Sequence, residues 1–216
     1  MVGVSGASGT PYAASVLRGL LAAGEAVDLV VSRAARLTLL DETGGPLRDA
    51  HWRADLARWL EVEDEALDAV RYWPAGDLAA GPSSGSYPSK GMLVVPASTA
   101  AVAGIALGLS KDLLQRAASV ALKERRPLVV CVRETPLSGV VLRQLVALDE
   151  AGAVVLPASP AFYAGGSTAQ ELVDFVAGRV LDAAGVPHAL YRRWRGEIGA
   201  ARGEAGEGRP GRSAGA

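Results

Sequence analysis

The sequence predicts a single α/β domain in which a parallel sheet lies between two layers of helices. Short, wholly apolar runs such as residues 92–95 and 128–132 alternate with amphipathic stretches. Strands that are apolar on both faces are typical of a parallel sheet covered by helices on each side. Half of the 216 residues are hydrophobic, so a chain of this length can bury one sizeable core.

Glycine, proline and polar residues set the expected bounds of the elements. Pro11 suits the first turn of a helix over residues 10–23, and Gly24 suits the position just beyond its end. Residues 76–91 are rich in glycine, serine and proline, which predicts a loop. The other helices are predicted over residues 33–40, 55–60, 97–107, 111–124, 139–150 and 169–184, and the strands over residues 1–4, 26–31, 70–73, 92–95, 128–132 and 153–156. We expect one domain over residues 1–195 and a disordered tail over residues 196–216, which hold little to bury.

Composition narrows the classes of function. The 22 Lys and Arg residues nearly balance the 23 Asp and Glu residues, for a net charge of -1, so neither nucleic acid nor an anionic membrane is expected as a partner. The single cysteine, Cys131, excludes an internal disulfide and a multi-cysteine metal site. His51 and His188 fit no triad or metal-ligand pattern, so no metal is expected. Without a leader or a run of about 20 apolar residues, we expect a cytoplasmic protein.

Candidate functional residues are sought after each strand, because an open parallel sheet binds ligands at the carboxyl ends of its strands. The first such turn holds Gly6, Ala7 and Ser8 ahead of a helix. Glycines there let a ligand approach the backbone N–H groups at the helix start, which suits phosphate. The turn matches neither a nucleoside triphosphate loop nor the G-x-G-x-x-G pattern. An NADP site supported by Arg33 and a turn that only packs helix on strand are the alternatives.

Two further turns carry polar groups at the same predicted edge. Ser98 and Thr99 start the helix after the fourth strand, where they either cap the helix or leave room for a flat ligand. Arg133 and Glu134 directly follow the buried fifth strand, where they either form ion pairs with neighbours or face a ligand. Their position at the binding edge favours the functional interpretation of Arg133 and Glu134.

A cationic helix face and an aromatic loop complete the candidates. Arg116 and Lys123 are seven residues apart and therefore share one face of the helix predicted over residues 111–124. Arg116 lies among apolar residues, which a solvated face does not require. The loop after the sixth strand contains Phe162 and Tyr163, which either form an apolar ligand wall with a phenol donor or pin a surface loop.

Taken together, these segments resemble the flavin prenyltransferases, the UbiX-type family within the FMN-binding, cysteine-decarboxylase-like flavoproteins. The likeness runs from residue 1 to about residue 194. It is carried by SGASG, VSRAA, DET, PASTAAVAGIA, LLQRAASVALKERRPLVV, RETPLS, GAVVLPASPAFY and DFVAGRVLD. The pairing of RAASVALKERRPL with RETPLS is far more specific than a glycine turn. The resemblance implies a three-layer, Rossmann-like (flavodoxin-like) fold.

The activity implied by the resemblance is transfer of a dimethylallyl group from dimethylallyl phosphate to N5 and C6 of reduced FMN. The product, prenylated FMN, is used by UbiD-type decarboxylases, and family members form homo-oligomers (dodecamers) with sites between subunits. Fixed Arg and Lys groups would stabilise the departing phosphate without a metal. An FMN-dependent decarboxylase of cysteine conjugates and a non-catalytic flavin-binding protein are the alternatives.

The resemblance also implies roles for individual residues. FMN would be held by residues of three turns and by the start of one helix, namely Gly6, Ala7, Ser8, Ser32, Ser98, Thr99, Ala100, Ala101 and Arg133. The donor would be bound by Lys123, Tyr163, Arg179, Arg116 and Trp194. Glu134 would carry a proton, with Glu42 and Ser8 in support and Lys123 acting at the phosphate.

Overall fold

A computed structural model describes residues 1–162 and 168–194 of the protein. Within them, six parallel strands form one sheet in the order β3-β2-β1-β4-β5-β6. The strands are β1 Val2–Val4, β2 Val27–Val31, β3 Val70–Pro74, β4 Met92–Ala97, β5 Leu128–Val132 and β6 Val154–Pro157. The helices are α1 Thr10–Ala22, α2 Arg33–Thr43, α3 Trp52–Leu60, α4 Thr99–Ala106, α5 Leu113–Lys123, α6 Gly139–Glu150 and α7 Ala169–Ala183. The predicted α/β fold with a parallel sheet is confirmed.

The sheet separates two apolar layers, because alternate residues of a strand point to opposite faces. In β5, Val129 and Cys131 pack with α1, α3 and α7, whereas Val130 and Val132 pack with α4, α5 and α6. Burial raises the pKa of the Cys131 thiol to about 12, so this cysteine is a small apolar core residue. In the described part of the chain, each helix is too short or too polar to span a bilayer.

The strand order reverses between β1 and β4. The chain runs outward from β1 through β2 to β3, then returns to pair β4 with β1 before it continues to β6. The loops that leave β1 and β4 therefore diverge to opposite faces of the sheet. In open parallel sheets, this divergence opens a ligand crevice at the carboxyl ends of the two strands.

Several elements end or begin at residues other than those predicted, and the differences in α2, β4 and α4 affect this edge. α2 continues to Thr43, because the glycine that can adopt the left-handed conformation to end it is Gly44, with a φ of +69°. Glu42 consequently lies on the last turn of α2. β4 continues to Ala97, which pairs with Val132 of β5, so α4 begins at Thr99 rather than at residue 97.

A buried carboxylate fixes the connection between α2 and α3. The buried side chain of Asp55 accepts hydrogen bonds from the guanidinium of Arg48 at 2.7 and 2.9 Å and from that of Arg58 at 2.9 Å. The hydrogen bond from Arg48 outweighs burial and holds the pKa of the Asp55 carboxyl well below its usual range. Sequence reasoning did not identify this group, since only the folded connection shows that Asp55 is enclosed.

We expect Asp55→Asn to lower the free energy of unfolding at neutral pH by about 2 kcal/mol. This loss is smaller than the loss expected on breaking a fully buried ion pair, because both arginines are half exposed. The folded-state pKa of Asp55 is depressed, so its contribution is present above the unfolded-state pKa of about 3.9 and is lost as pH falls through the folded pKa. In urea unfolding, the difference from wild type should persist at about pH 5.5 and shrink below about pH 4. Asp41→Asn, at an exposed carboxylate, is the control. A difference that stays constant under acid would contradict this account.

Candidate active site

The turns that follow β1 and β4 are joined at the point where the strand order reverses. The buried Ser5 hydroxyl donates to the carbonyl oxygen of Pro96 at 2.8 Å and accepts from the backbone N–H of Ser98 at 2.7 Å. The Ser5 N–H also donates to the Pro96 carbonyl at 3.2 Å. These three bonds hold the glycine turn, residues 5–9, beside the start of α4.

The glycine turn lies close against α2. A side chain on Gly6 would collide with Ala34, so only glycine fits at this position. Gly9 has a φ of +112°, a left-handed conformation that favours glycine. It is the N-cap residue of α1, and it has no side chain with which to accept a hydrogen bond from the first N–H groups of the helix. The backbone N–H groups at the start of α1 therefore depend on other acceptors.

Glu42 supplies those acceptors from the last turn of α2. Its carboxylate accepts from the N–H groups of Gly9 and Thr10, each at 2.8 Å, and from the Thr10 hydroxyl at 2.6 Å. Burial raises the pKa of the Glu42 carboxyl, but hydrogen bonds from Thr10, Ser8 and Gly9 lower it more, so the net pKa lies below its usual value. Glu42 is thus held as an anion at the positive end of the α1 dipole.

Ser32 and Ser98 cap α2 and α4 at the same edge. Each hydroxyl oxygen accepts from the N–H three residues later, at 3.1 Å for Ala35 and 3.2 Å for Ala101. The capping alternative considered for Ser98 is therefore confirmed. Because these bonds use only the oxygen as acceptor, each hydroxyl proton remains available to a ligand.

Arg133 brings a cation to this edge from the end of β5. Its backbone N–H donates to the carbonyl of Ala97 at 3.2 Å, and its side chain lies next to Gly9. The Arg133 Nε is buried and has no hydrogen-bond partner among the described residues. The Nε of Arg36 is likewise buried without a partner in the described part of the chain. Since buried donors are nearly always hydrogen-bonded, the Nε of Arg133 can donate to an acceptor atom of a ligand at this edge.

Glu134 differs from Glu42 in its surroundings. Its side chain is exposed, and one oxygen accepts from the N–H of Thr135 at 2.9 Å. Glu134 can therefore change position without disturbing the start of α1. The carboxyl edge as a whole gathers Gly6, Ala7, Ser8, Ser32, Glu42, Ser98, Thr99, Ala100, Ala101, Arg133 and Glu134.

Lys123 and Arg116 do not face this group within one chain. Lys123 is the last residue of α5, which ends at the opposite, amino edge of the sheet, and it pairs with Glu124. Arg116 donates from Nε to the carbonyl of Ser83 at 2.9 Å, in the loop before β4. The five residues of β5 put about 16 Å between the edge that holds Lys123 and the edge that holds Arg133.

Arg179 lies on α7, beside the edge strand β6. It lines a cavity of about 430 Å³ together with residues of β6 and Ser159. Its guanidinium pairs with Asp182 at 2.9 Å. Trp194 is 56% exposed, whereas Tyr163 and the predicted tail, residues 196–216, lie outside the described residues.

A larger groove, of about 1000 Å³, lies at the amino edge of the sheet. It is lined by Met1, Val27, Val70 and Met92, at the starts of four strands, and it contains none of the predicted site residues. The larger groove and the predicted site residues that follow the strands therefore lie at opposite edges of the sheet. We place the candidate site at the carboxyl edge, because the unpartnered Nε of Arg133 and the helix starts lie there. Within residues 1–162 and 168–194, no three His, Cys, Asp or Glu side chains converge as metal ligands.

Known proteins match this chain over nearly its whole length. A family model described as Flavoprotein matches residues 1–181. A flavin prenyltransferase UbiX from Streptomyces coelicolor is 74% identical over 210 residues, which cover 94% of this chain and 97% of the relative. The crystal structure of AnUbiX (PadA1) in complex with FMN and dimethylallyl pyrophosphate has a TM-score of 0.80 at 34% identity, covering 91% of this chain and 97% of that one. A dodecameric FMN-dependent UbiX-like decarboxylase from Escherichia coli O157:H7 has a TM-score of 0.77 at 36% identity, covering 91% and 98%.

Ser5→Ala tests whether the Ser5 hydrogen bonds stabilise the turns that follow β1 and β4. We expect it to lower the free energy of unfolding by about 2 kcal/mol, because it leaves the partly buried N–H of Ser98 and the buried carbonyl of Pro96 without their side-chain partner. Thermal or urea unfolding measures the change. Ser89→Ala, at a serine with no hydrogen bond in the described part of the chain, should match wild type. Equal stability of the two variants would show that the Ser5 bonds are dispensable.

Proposed function

This chain belongs to the flavin prenyltransferases of the UbiX type, and from that membership we propose which of its residues bind reduced FMN and which bind the dimethylallyl donor. The observation that supports the assignment most directly is the buried Nε of Arg133, which has no partner among the described residues. A flavin offers carbonyl and ring-nitrogen acceptors that such a donor can bind.

The carboxyl edge suits FMN on three counts. Gly6 lets the first turn pack directly on the start of α2, which brings the turn to this edge, and the small residues at the start of α4 leave room for a flat ring. Arg133 supplies the donor. We assign FMN binding to Gly6, Ala7, Ser8, Ser32, Ser98, Thr99, Ala100, Ala101 and Arg133. When bound, reduced FMN supplies the nucleophilic ring atoms that receive the prenyl group.

The two carboxylates would have different tasks. Glu42 has its charge fixed by several hydrogen bonds, so it would stabilise positive charge that develops on the allyl group. Glu134 can take up or release a proton without breaking the contacts of α1, which suits a general acid or base. Ser8, which hydrogen-bonds Glu42, would keep that carboxylate in position.

The donor phosphate requires cations that remain in place as it departs. We assign this task to Lys123, Arg116 and Arg179, with Tyr163 as a hydroxyl donor and Trp194 closing the site. Because Lys123 lies at the amino edge of its own chain, we propose that a neighbouring copy supplies it, together with Arg116. The pairing of one copy's amino edge with another's carboxyl edge would complete the site.

Exposed apolar side chains support a homo-oligomer. Several lie on α6 and after α4, where a monomer has no use for them. They are Leu107, Leu109, Val140, Leu142 and Val146. The dodecameric relative from Escherichia coli is consistent with a dodecamer for this chain too.

Two wider assignments rest on the family resemblance. We propose that a UbiD-type decarboxylase receives the prenylated FMN, and that the protein acts in the cytoplasm. Co-expression with an apo decarboxylase of that class should restore its activity, and cell fractionation would locate the protein.

Lys123→Ala should separate the donor site from the flavin site. Under anaerobic conditions, wild-type protein with reduced FMN and dimethylallyl phosphate should yield a flavin heavier by one prenyl unit in mass spectrometry. We expect Lys123→Ala to raise KM for dimethylallyl phosphate at least about tenfold, with the Kd for FMN within about twofold, because Lys123 meets only the phosphate. The same assay with dimethylallyl pyrophosphate identifies the preferred donor.

Lys111→Ala, at another exposed lysine, should behave as wild type in this assay. Equal loss of donor and FMN binding in Lys123→Ala would contradict the division of roles. Release of carbon dioxide from a cysteine conjugate, without a mass gain in the flavin, would favour the alternative decarboxylase.

Mixed oligomers test whether the site is shared. At a dimethylallyl phosphate concentration near the wild-type KM, Arg133→Ala and Lys123→Ala should each have little activity alone. Chains co-expressed in equal amounts should recover about a quarter of wild-type activity, because about a quarter of shared sites combine two intact halves. Arg133→Ala mixed with Glu42→Gln should recover none, since both lesions affect the same half. Absence of recovery in the first mixture would overturn the shared site.

A further inference from the structure

The end of α7 and the segment that follows it meet at one carboxylate. Asp182, with 17% of its side chain exposed, accepts hydrogen bonds from Arg179 at 2.9 Å, His188 at 3.0 Å and Arg193 at 2.7 Å. The hydroxyl of Tyr191 donates to the same carboxylate and lies 3.3 Å from the Arg179 guanidinium. A single acid thus connects Arg179 to three side chains of residues 186–194.

Packing leaves this cluster little freedom. The ring of Tyr191 lies 4.9 Å from that of Phe175 and 5.4 Å from that of His188, measured between centroids. The Arg193 guanidinium lies over the ring of Tyr191, 5.6 Å from its centroid. A side chain on Gly178 would collide with Tyr191 and His188, so both rings rest directly on the backbone of α7.

The cluster carries more positive than negative charge. Burial raises the pKa of the Asp182 carboxyl, but hydrogen bonds from its partners lower it further, so Asp182 is ionised. His188 accepts from the N–H of Leu190 at Nδ1, and its Nε2 faces Asp182 at 3.0 Å. One carboxylate therefore faces two permanent cations, Arg179 and Arg193. The surplus charge suits an anion beside Arg179, whose side chain is half exposed at the cavity along β6.

We propose that Asp182 is a positioning residue for prenyl transfer, which orients the Arg179 guanidinium toward the donor phosphate and joins it to the segment that carries Trp194. The inference rests on the donor-binding role proposed above for Arg179. Asp182 meets no substrate and acts through Arg179. A half-exposed arginine without its carboxylate populates many rotamers, and the free energy needed to order it would then reduce phosphate binding.

Asp182→Asn keeps the shape of the side chain and removes its charge. We expect KM for dimethylallyl phosphate to rise about tenfold, kcat to change less than about threefold, and the Kd for FMN to remain within about twofold. Arg192→Ala, at an exposed cation with no partner in the described part of the chain, should leave all three values unchanged. An unchanged KM in folded Asp182→Asn protein, or an equal loss of donor and FMN binding, would overturn the proposal.

The double variant distinguishes action through Arg179 from a separate structural effect. In an Arg179→Ala background, Asp182→Asn should raise KM by less than about twofold, since the residue that it positions is gone. If Asp182→Asn raised KM in the Arg179→Ala background by the same factor as in wild type, the positioning role would be overturned. If Arg179→Ala alone leaves the donor KM unchanged, the donor-binding role of Arg179 is wrong, and this inference fails with it.

Tyr191→Phe provides a milder probe if Asp182→Asn does not fold. It keeps the packed ring and removes only the hydroxyl that binds both Asp182 and Arg179. We expect KM for dimethylallyl phosphate to rise about threefold, with FMN binding unchanged. No change in that KM would overturn the proposal.

Discussion

The hydrogen bonds of Ser5 hold the two central turns together, and the candidate site depends on them. Parallel strands place every following helix start at one edge of the sheet, and the reversal between β1 and β4 opens a crevice there. An open crevice has no fixed width until its two walls are joined. By binding both Pro96 and Ser98, Ser5 sets the spacing between the glycine turn and the start of α4.

The described residues bring few charges to this crevice, and each is held in a different way. Arg133 is a cation with a buried donor that no described residue satisfies, and such a group is costly to bury without a partner. Glu42 is an anion with several donors at the positive end of α1, so its ionised state is favoured. The positions of the Arg133 cation and the Glu42 anion are consequently set before any ligand enters. These charged groups therefore need little reorganisation during the reaction.

The cations proposed for the donor phosphate are spread over the chain. Arg116 lies on the first turn of α5, where it binds the loop before β4, and Lys123 lies at the amino-edge end of that helix, whereas Arg179 lies on α7 beside β6. Of these three cations, Asp182 contacts only Arg179, so the positioning role proposed for Asp182 applies within one chain to Arg179 alone. Prenyl transfer in this family member would therefore depend on assembly of copies as much as on the fold of each one.

The sequence by itself determined the element types, the parallel sheet and the residues at its carboxyl edge, because apolar patterning and turn residues are local and parallel strands share their directions. It did not determine which side chains meet across the fold. Glu42 reaches Gly9 across 33 positions of sequence, and the burial of Asp55 and Asp182 depends on segments that fold over them. The distance between Lys123 and Arg133 is likewise a consequence of strand direction and length. Tertiary packing alone decided these contacts, since no local pattern records which distant groups will exclude water from a carboxylate.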